Sequence, residues 1–401
     1  MFITVGAIFF IYILTKVYIS VMEIGFVSKA KHDRPVILIP SNYVKAAEYK
    51  IASERMGILG TLFEYLLFIF WIGFGLKWLD SMIVIDDIAL KSVVFILAFG
   101  AIGMIVSLPF DLYKTFVLDK KFGFSNMDAK LYIIDTLKSM AMSIIFGGAV
   151  IWLISKIIIN IESWWIWGFA LIFTIVLIIN LIYPTWIAPI FNKFTILEDE
   201  DLKSSIENLM AKAGLKAEGV FTIDASKRDN RLNAYFGGLG KSKRVVLYDT
   251  LIEKLTKNEL LAVLGHELGH FKHKDIIKNI SIIAVLLFLM FFIFGNLPQS
   301  LFDMIGVEKT PYTIIAMFMI FSPIISLFFM PIFGAISRRN EYAADEYGSE
   351  CESQEELANA LQKLANENKS FPKSHPLSII FYHTHPPLVE RLKGLGVKID
   401  D

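Results

Sequence analysis

One cysteine, Cys351, stands in 401 residues, so no internal disulfide framework can form and nothing marks an oxidising compartment. Charge is scarce as well. Asp, Glu, Lys and Arg make up 19% of the chain, against roughly a quarter in soluble globular proteins. The formal net charge is zero, which removes the basic field that nucleic-acid binding needs and makes a nucleic-acid partner unexpected. No internal repeat or low-complexity tract interrupts the chain. What fills it instead is apolar: 55% hydrophobic and 14% aromatic residues, with a mean hydropathy of +0.56. Much of the surface must therefore face lipid rather than water.

Seven apolar runs come close to the about 20 residues that cross a bilayer. They cover roughly Phe2–Met22, Ile58–Leu79, Ser92–Phe110, Met140–Ile159, Trp165–Ala188, Ile276–Leu297 and Tyr312–Ile336. The first lacks a basic leader and a small-residue cleavage site, so it reads as an uncleaved anchor and not as a signal peptide. Lys and Arg set the orientation. The first loop holds Lys29, Lys31, Arg34, Lys45, Lys50 and Arg55, and the third holds Lys114, Lys120, Lys121, Lys130 and Lys138. The second loop is acidic, with Asp80, Asp86 and Asp87. The alternation predicts an external N-terminus, a cytosolic C-terminus and a cytosolic fifth loop. Richness in Ile, Lys and Phe favours a bacterial cytoplasmic membrane over the endoplasmic reticulum, and no dilysine tail stands at Val397–Asp401.

The chain divides accordingly into 1–188, a membrane domain of five helices; 189–275, a cytosolic catalytic domain; 276–336, two further membrane helices; and 337–401, the C-terminal part of the catalytic domain. In the fifth loop Leu202, Ile206, Leu209, Met210 and Ala213 fall at helical spacing, and Gly214 suits the end of that helix. Two strand-like runs follow, Gly219–Asp224 and Arg244–Tyr248, with Leu232–Phe236 (LNAYF) between them and Gly237, Gly238 and Gly240 supplying a turn. Thr256 and Glu259 then form a capping box that opens a helix carrying LLAVLGHELGHFKH.

In HELGH, His266 and His270 lie four residues apart, on one helix face, and can hold one metal ion through imidazole nitrogens. Glu267 can reach a water on the ion's open position. Zinc with three protein ligands and a water is the catalytic arrangement this suggests. Glu267 would then act as general base and hand the proton to the leaving amine. The third ligand is not His273: seven residues after His266, it sits about 10 Å along the helix axis. The metzincin pattern is excluded too, because it places glycine at 273 and histidine at 276, where this chain has His273 and Ile276. His273 therefore reads as interfacial or solvated. Glu341, in RRNEYAAD, offers a carboxylate on a second helix, with Asp345 four residues on as an orienting group for a ligand histidine. A solvated helix charge beside Arg338 and Arg339 is the competing interpretation. Near the C-terminus, His385 and Arg391 in HTHPPLVERL are candidates for stabilising an oxyanion.

These segments together resemble the type I CaaX prenyl proteases, membrane-embedded zinc metallopeptidases. Besides HELGH, the resemblance rests on SLPFDLYKTFVLDKKFGFS, YPTWIAPIFNKFTILEDEDL, IDASKRDNRLNAYFGGLGKSKRVVLYDTL, NEYAADEYG and HPPLVER. It implies a mostly α, integral membrane fold, in which seven transmembrane helices enclose a chamber capped by a gluzincin-like α+β peptidase domain. It implies one zinc ion per chain held by His266, His270 and Glu341, with Glu267 as general base. Asp345 is implied as support, His385 and Arg391 as aids at the oxyanion, and Asn233 as a contact to the peptide backbone. The departures are small: Ile196 stands where the family has proline, and Asp229 where it has serine.

Three other functions compete. A quality-control protease would act on membrane polypeptides with no need of prenylation. A protease cutting inside the bilayer would need an apolar HELGH helix, yet this one carries Lys257, Lys272 and Lys274. A metal-binding transporter would place ionisable groups at the membrane midplane, whereas Lys16, Glu64 and Asp135 fall near the ends of the runs. The expected partners are a peptide or protein substrate, prenylated or not, and the lipid bilayer.

Overall fold

The computed structural model describes residues 2–238 and 242–399; Gly240 of the expected turn lies outside the described residues. Helices dominate, and seven of them are long and apolar enough to cross a membrane: α1 (Ile3–Ala30), α2 (Pro40–Met82), α3 (Ile88–Lys121), α4 (Ala129–Asn160), α5 (Trp164–Phe191), α8 (Asp275–Gly295) and α9 (Pro311–Cys351). Between α5 and α8 lie β1 (Phe194–Ile196), α6 (Glu200–Lys212), β2 (Lys216–Ile223), β3 (Ala234–Gly237), β4 (Ser242–Tyr248) and α7 (Lys257–Lys272). After α9 come α10 (Gln354–Glu367), α11 (Pro376–Tyr382) and α12 (Leu388–Gly394).

The spans agree with the apolar runs in number and order but are longer. α2 has 43 residues and α9 has 41, about 60 Å each at 1.5 Å per residue, twice the hydrocarbon thickness of a bilayer. Hydropathy marks only the stretch that meets lipid, while the helices run on into water. In α9 that extension carries Glu341 and Asp345, so one rigid rod joins the membrane to the peptidase domain. Only 6–28% of each span's most apolar window is buried. A tight bundle would bury more; a ring of helices around a chamber leaves both an outer and an inner face open.

The ionisable groups expected near the ends of the apolar runs are paired, although Lys16 and Glu64 fall near the middle of α1 and α2. Lys16 Nζ lies 2.6 Å from Glu64 Oε2, and the Tyr12 hydroxyl donates to the same carboxylate at 3.0 Å. Asp135 accepts two hydrogen bonds from Arg228, at 2.8 and 3.2 Å, which ties α4 to the polar domain. A bridge between Ser125 and Asp229 adds a second tie.

The four strands form one sheet in the order β1-β2-β4-β3. β2 and β4 run parallel, and β3 is antiparallel to β4 with Ala234 opposite Leu247. That leaves β3 as an edge strand. α6 starts on an Asp199 cap and ends before Gly214, which takes φ +73°, as glycine readily does past a helix end. Its Leu202, Ile206, Leu209 and Met210 pack with Val245 and Leu247 of β4 and Leu260, Leu264 and Leu268 of α7 in one core.

Candidate metal centre at the edge of the sheet

α7 begins with the expected capping box: Thr256 Oγ1 accepts from the Glu259 amide, and the Glu259 carboxylate accepts from the Thr256 amide. Leu260, Leu264 and Leu268 bury one face of the helix in the sheet's core. The opposite side lies against α9 at very short range. A Cβ added at Gly348 would stand 2.8 Å from His266 N, and one at Gly269 would stand 2.9 Å from Ala344 Cα. These glycines let the two backbones touch, and the contact brings Glu341 to the histidines. Gly348→Ala is therefore expected to force α7 and α9 apart, costing about 1–3 kcal/mol and several degrees of Tm. A thermal melt compared with Gly6→Ala, where an added methyl meets nothing, checks this.

His266, His270 and Glu341 present ligand atoms that lie within 4.8 Å of one another. His266 Nε2 is 3.6 Å from Glu341 Oε2, and His270 Nε2 is 3.4 Å from Glu341 Oε1. Bonds of about 2.0–2.2 Å in a tetrahedron put ligand atoms about 3.3–3.6 Å apart, so each histidine lies at a suitable distance from one oxygen of Glu341. Glu341 Oε2 is also buried without a hydrogen bond, although His385 Nδ1 stands 2.8 Å away and Arg391 Nη1 3.6 Å away. An orphaned carboxylate oxygen near imidazole nitrogens is a group that a bound cation would satisfy.

The far nitrogens of both imidazoles are held. His266 Nδ1 lies 2.8 Å from Asp345 Oδ1, and His270 Nδ1 lies 2.9 Å from Asp275 Oδ2. Each ring thereby turns its Nε2 toward the centre of the triangle. Arg391 grips Asp345 with two hydrogen bonds, from Nε at 2.8 Å and Nη2 at 2.6 Å. Burial alone would push the His270 imidazole down, but hydrogen bonds to Glu341 and Asp275 outweigh it and raise it to about 9. A metal cation displaces that proton on binding.

Asp275 was not among the residues singled out in the sequence. It follows Lys274, whose φ of +58° reverses the chain between α7 and α8, and its only sequence signal is its place just past HELGHFKHK. Lys278 on α8 donates to Asp275 at 2.7 Å and reaches Asn340 of α9 at 3.3 Å, so the second orienting carboxylate also links the two membrane helices. His273 ends α7 and takes no part in the triangle; its side chain is partly exposed, with Nδ1 buried and without a hydrogen bond. His375 caps α11 by accepting from the Leu377 amide, and its own amide donates to the buried Glu23.

A groove runs beside the triangle, lined by Asn233, Ala234, His266, Glu267, His385 and Arg391 among others. Asn233 O accepts from the Tyr248 amide on β4. The planar peptide unit turns the Ala234 N–H the other way, to the free edge. There the side-chain Oδ1 of Asn233 accepts it at 2.9 Å.

Residues 35–193 match the sequence profile described as CAAX prenyl protease N-terminal, five membrane helices. Residues 197–397 match that of peptidase family M48. The chain is similar to CAAX prenyl protease 1 of Saccharomyces cerevisiae, at 31% identity over 384 residues, covering 88% of this chain and 85% of the relative. A homologue from Caenorhabditis elegans is 33% identical, covering 88% and 87%. The crystal structure of Ste24p from S. mikatae superposes with a TM-score of 0.87 at 29% identity, covering 97% of each chain.

Proposed function

The chain belongs to peptidase family M48 with the membrane module of the CAAX prenyl proteases, and from that premise we propose zinc as its metal and prenylated CaaX-type polypeptides as its substrates. It is an integral membrane metalloendopeptidase. The observation that carries the proposed site is the triangle of His266, His270 and Glu341, with each imidazole oriented by a carboxylate. Zinc, when bound there, supplies Lewis acidity toward a water and the scissile carbonyl.

The residues of the chain do the rest. Glu267, beside the triangle in the groove, takes the proton of the attacking water and returns it to the leaving nitrogen. His385 has an exposed imidazole at the mouth of the site, 63% accessible and 2.8 Å from Glu341, where it donates to the oxygen that gains charge. Arg391 is a positioning residue, since its guanidinium is spent on Asp345 and through it on His266. The free edge of β3 takes the substrate as an added strand. Asn233 Oδ1 occupies the Ala234 N–H in the place of a substrate carbonyl, which a bound peptide displaces.

The placement of the site in the cytosol rests on the basic first and third loops. A bacterial cytoplasmic membrane rests on composition alone, and the relatives compared above are eukaryotic. Removing the His270 orienting group by Asp275→Asn should weaken zinc about 10- to 100-fold, read by competition with a chelating dye, with the fold unchanged by circular dichroism. Mass spectrometry of products from a farnesylated CaaX peptide and its unprenylated twin tests the substrate class. Faster cleavage of the farnesylated form is expected; equal rates would favour general cleavage of membrane polypeptides.

A further inference from the structure

The two sides of α2 meet different surroundings. Lys50 pairs with Glu54 at 3.0 Å and reaches the buried Glu23 of α1 at 3.6 Å. That side meets the peptidase domain, since Glu23 also accepts from Ser374 Oγ at 2.6 Å. Glu48, Ile51, Arg55 and Leu59 recur three and four residues apart, so they share one face. At about 100° per residue that face points away from Lys50. It lines a cleft of about 760 Å³, whose walls come, among the described residues, from α1, α2, α3 and the residues directly after α1 and α3. With the Lys50 side of α2 turned to the chamber and the peptidase domain, the cleft opens on the outside of the ring, toward lipid.

Two aromatic contacts between α2 and the end of α3 bracket the cleft. Phe63 meets Phe110 with ring centroids 5.5 Å apart, and Tyr49 meets Phe122 at 5.2 Å. Over the intervening stretch α3 contains a π turn at Lys114–Leu118, a feature at which helices leave a straight path, and the cleft fills the gap beside α2. Its floor is apolar. Leu59 is 60% exposed, and Pro109 and Phe110 line the same floor. Ile58 opens the second apolar run and Phe110 closes the third, so the floor lies where the hydrocarbon begins.

The rim is basic. Lys31, Arg55 and Lys121 line it together with one carboxylate, Glu48. Lys31 is committed to that carboxylate at 2.7 Å. Arg55 makes no hydrogen bond or ion pair among the described residues, and Lys121 makes no ion pair among them. The Lys121 ammonium lies instead 5.6 Å from the centre of the Phe122 ring. Two exposed cations therefore stand unpaired above an apolar floor, on the membrane face that carries the peptidase domain. Basic pockets between transmembrane helices hold anionic lipid head groups in this way. A free phosphate would match the rim but leave Leu59 and Phe110 uncovered. We propose that the cleft binds one anionic glycerophospholipid from the leaflet on the peptidase side. Arg55 and Lys121 take its phosphate, and an acyl chain runs along Leu59, Pro109 and Phe110. The lipid bridges α2 and α3 where their own side chains do not meet, and its binding needs no peptide cleavage.

The test is native mass spectrometry of the full-length protein in detergent micelles, titrated with dioleoylphosphatidylglycerol or dioleoylphosphatidylcholine. One copy of phosphatidylglycerol should bind ahead of any further copies. It should bind about 25-fold more tightly than phosphatidylcholine, about fivefold for each of the two cations. Arg55→Gln/Lys121→Gln should remove that preference, while Arg55→Lys/Lys121→Arg should keep most of it. Both side chains are exposed, so the glutamine variant should keep the zinc content and peptidase activity of the wild type. Lys29→Gln/Lys45→Gln removes the same charge from exposed positions outside the cleft and should leave the preference intact. Equal binding of the two lipids by the wild type would overturn the proposal. So would an equal loss in the two glutamine variants, which would mean that the basic loops attract anionic lipid without a site. Displacement of the bound lipid by millimolar inorganic phosphate would also overturn it, in favour of a free anion.

Discussion

Glu267→Gln is expected to keep its zinc and lose about 10³- to 10⁴-fold in kcat, with little change in KM. The amide keeps the size and shape of the carboxylate, and Glu267 is no member of the triangle of ligand atoms, so the metal should stay at one per chain. What disappears is the one carboxylate that lines the groove among the described residues. Glu341 faces both histidines, Asp345 holds His266 and Arg391, and Asp275 holds His270 and Lys278. None of them is free to move a proton from water to the leaving nitrogen. General acid–base catalysis contributes about 10²- to 10⁴-fold, and one residue that performs both transfers belongs at the upper end. Unchanged turnover in this variant would remove Glu267 from the reaction.

Glu341→Ala should lose the metal. It withdraws the one anionic ligand from a site whose other two ligands are neutral when they bind, and it leaves Arg391 facing the gap. The expected fall in zinc affinity exceeds the about 10- to 100-fold typical of an orienting residue, so Asp275→Asn provides the scale against which it is read. Activity should disappear with the zinc, while the spans and the α7–α9 contact, held by Gly265, Gly269, Ala344 and Gly348, remain folded. Inductively coupled plasma mass spectrometry on the purified variant gives the zinc count. A full complement of zinc in Glu341→Ala would mean that the third ligand lies elsewhere.

The sequence made some of this legible because chemistry restricts spacing. Two imidazoles on one ion must sit four residues apart on a helix, and the Thr256–Glu259 cap fixed that helix's start. The period of Leu202, Ile206 and Leu209 showed the face that α6 buries, and the two strand-like runs fall within or beside β2 and β4. Glu341 was different. Its distance along the chain carries no period, and residues alone left it open between ligand and solvated charge; the resemblance of NEYAADEYG to one family made the choice. The close approach of α7 and α9 through glycines, on which that ligand depends, has no hydropathy signature.

Asp275 was missed for a related reason. Its role depends on a left-handed residue, Lys274, reversing the chain so that the first residue of α8 points back at His270, and a positive φ at lysine leaves no mark in composition. The helix overhangs were missed because apolar runs end where lipid ends, not where the helix does. Arg55 and Lys121 belong to the first and third basic loops of the sequence, and only the fold places them in one cleft.

The site's division between two membrane-anchored helices is tested most directly by anomalous diffraction at the zinc edge from crystals of the wild-type protein. The expected result is one peak per chain, about 2.0–2.2 Å from His266 Nε2, His270 Nε2 and a carboxylate oxygen of Glu341. A peak bound by the two histidines with His273 or His385 in the place of Glu341 would contradict it.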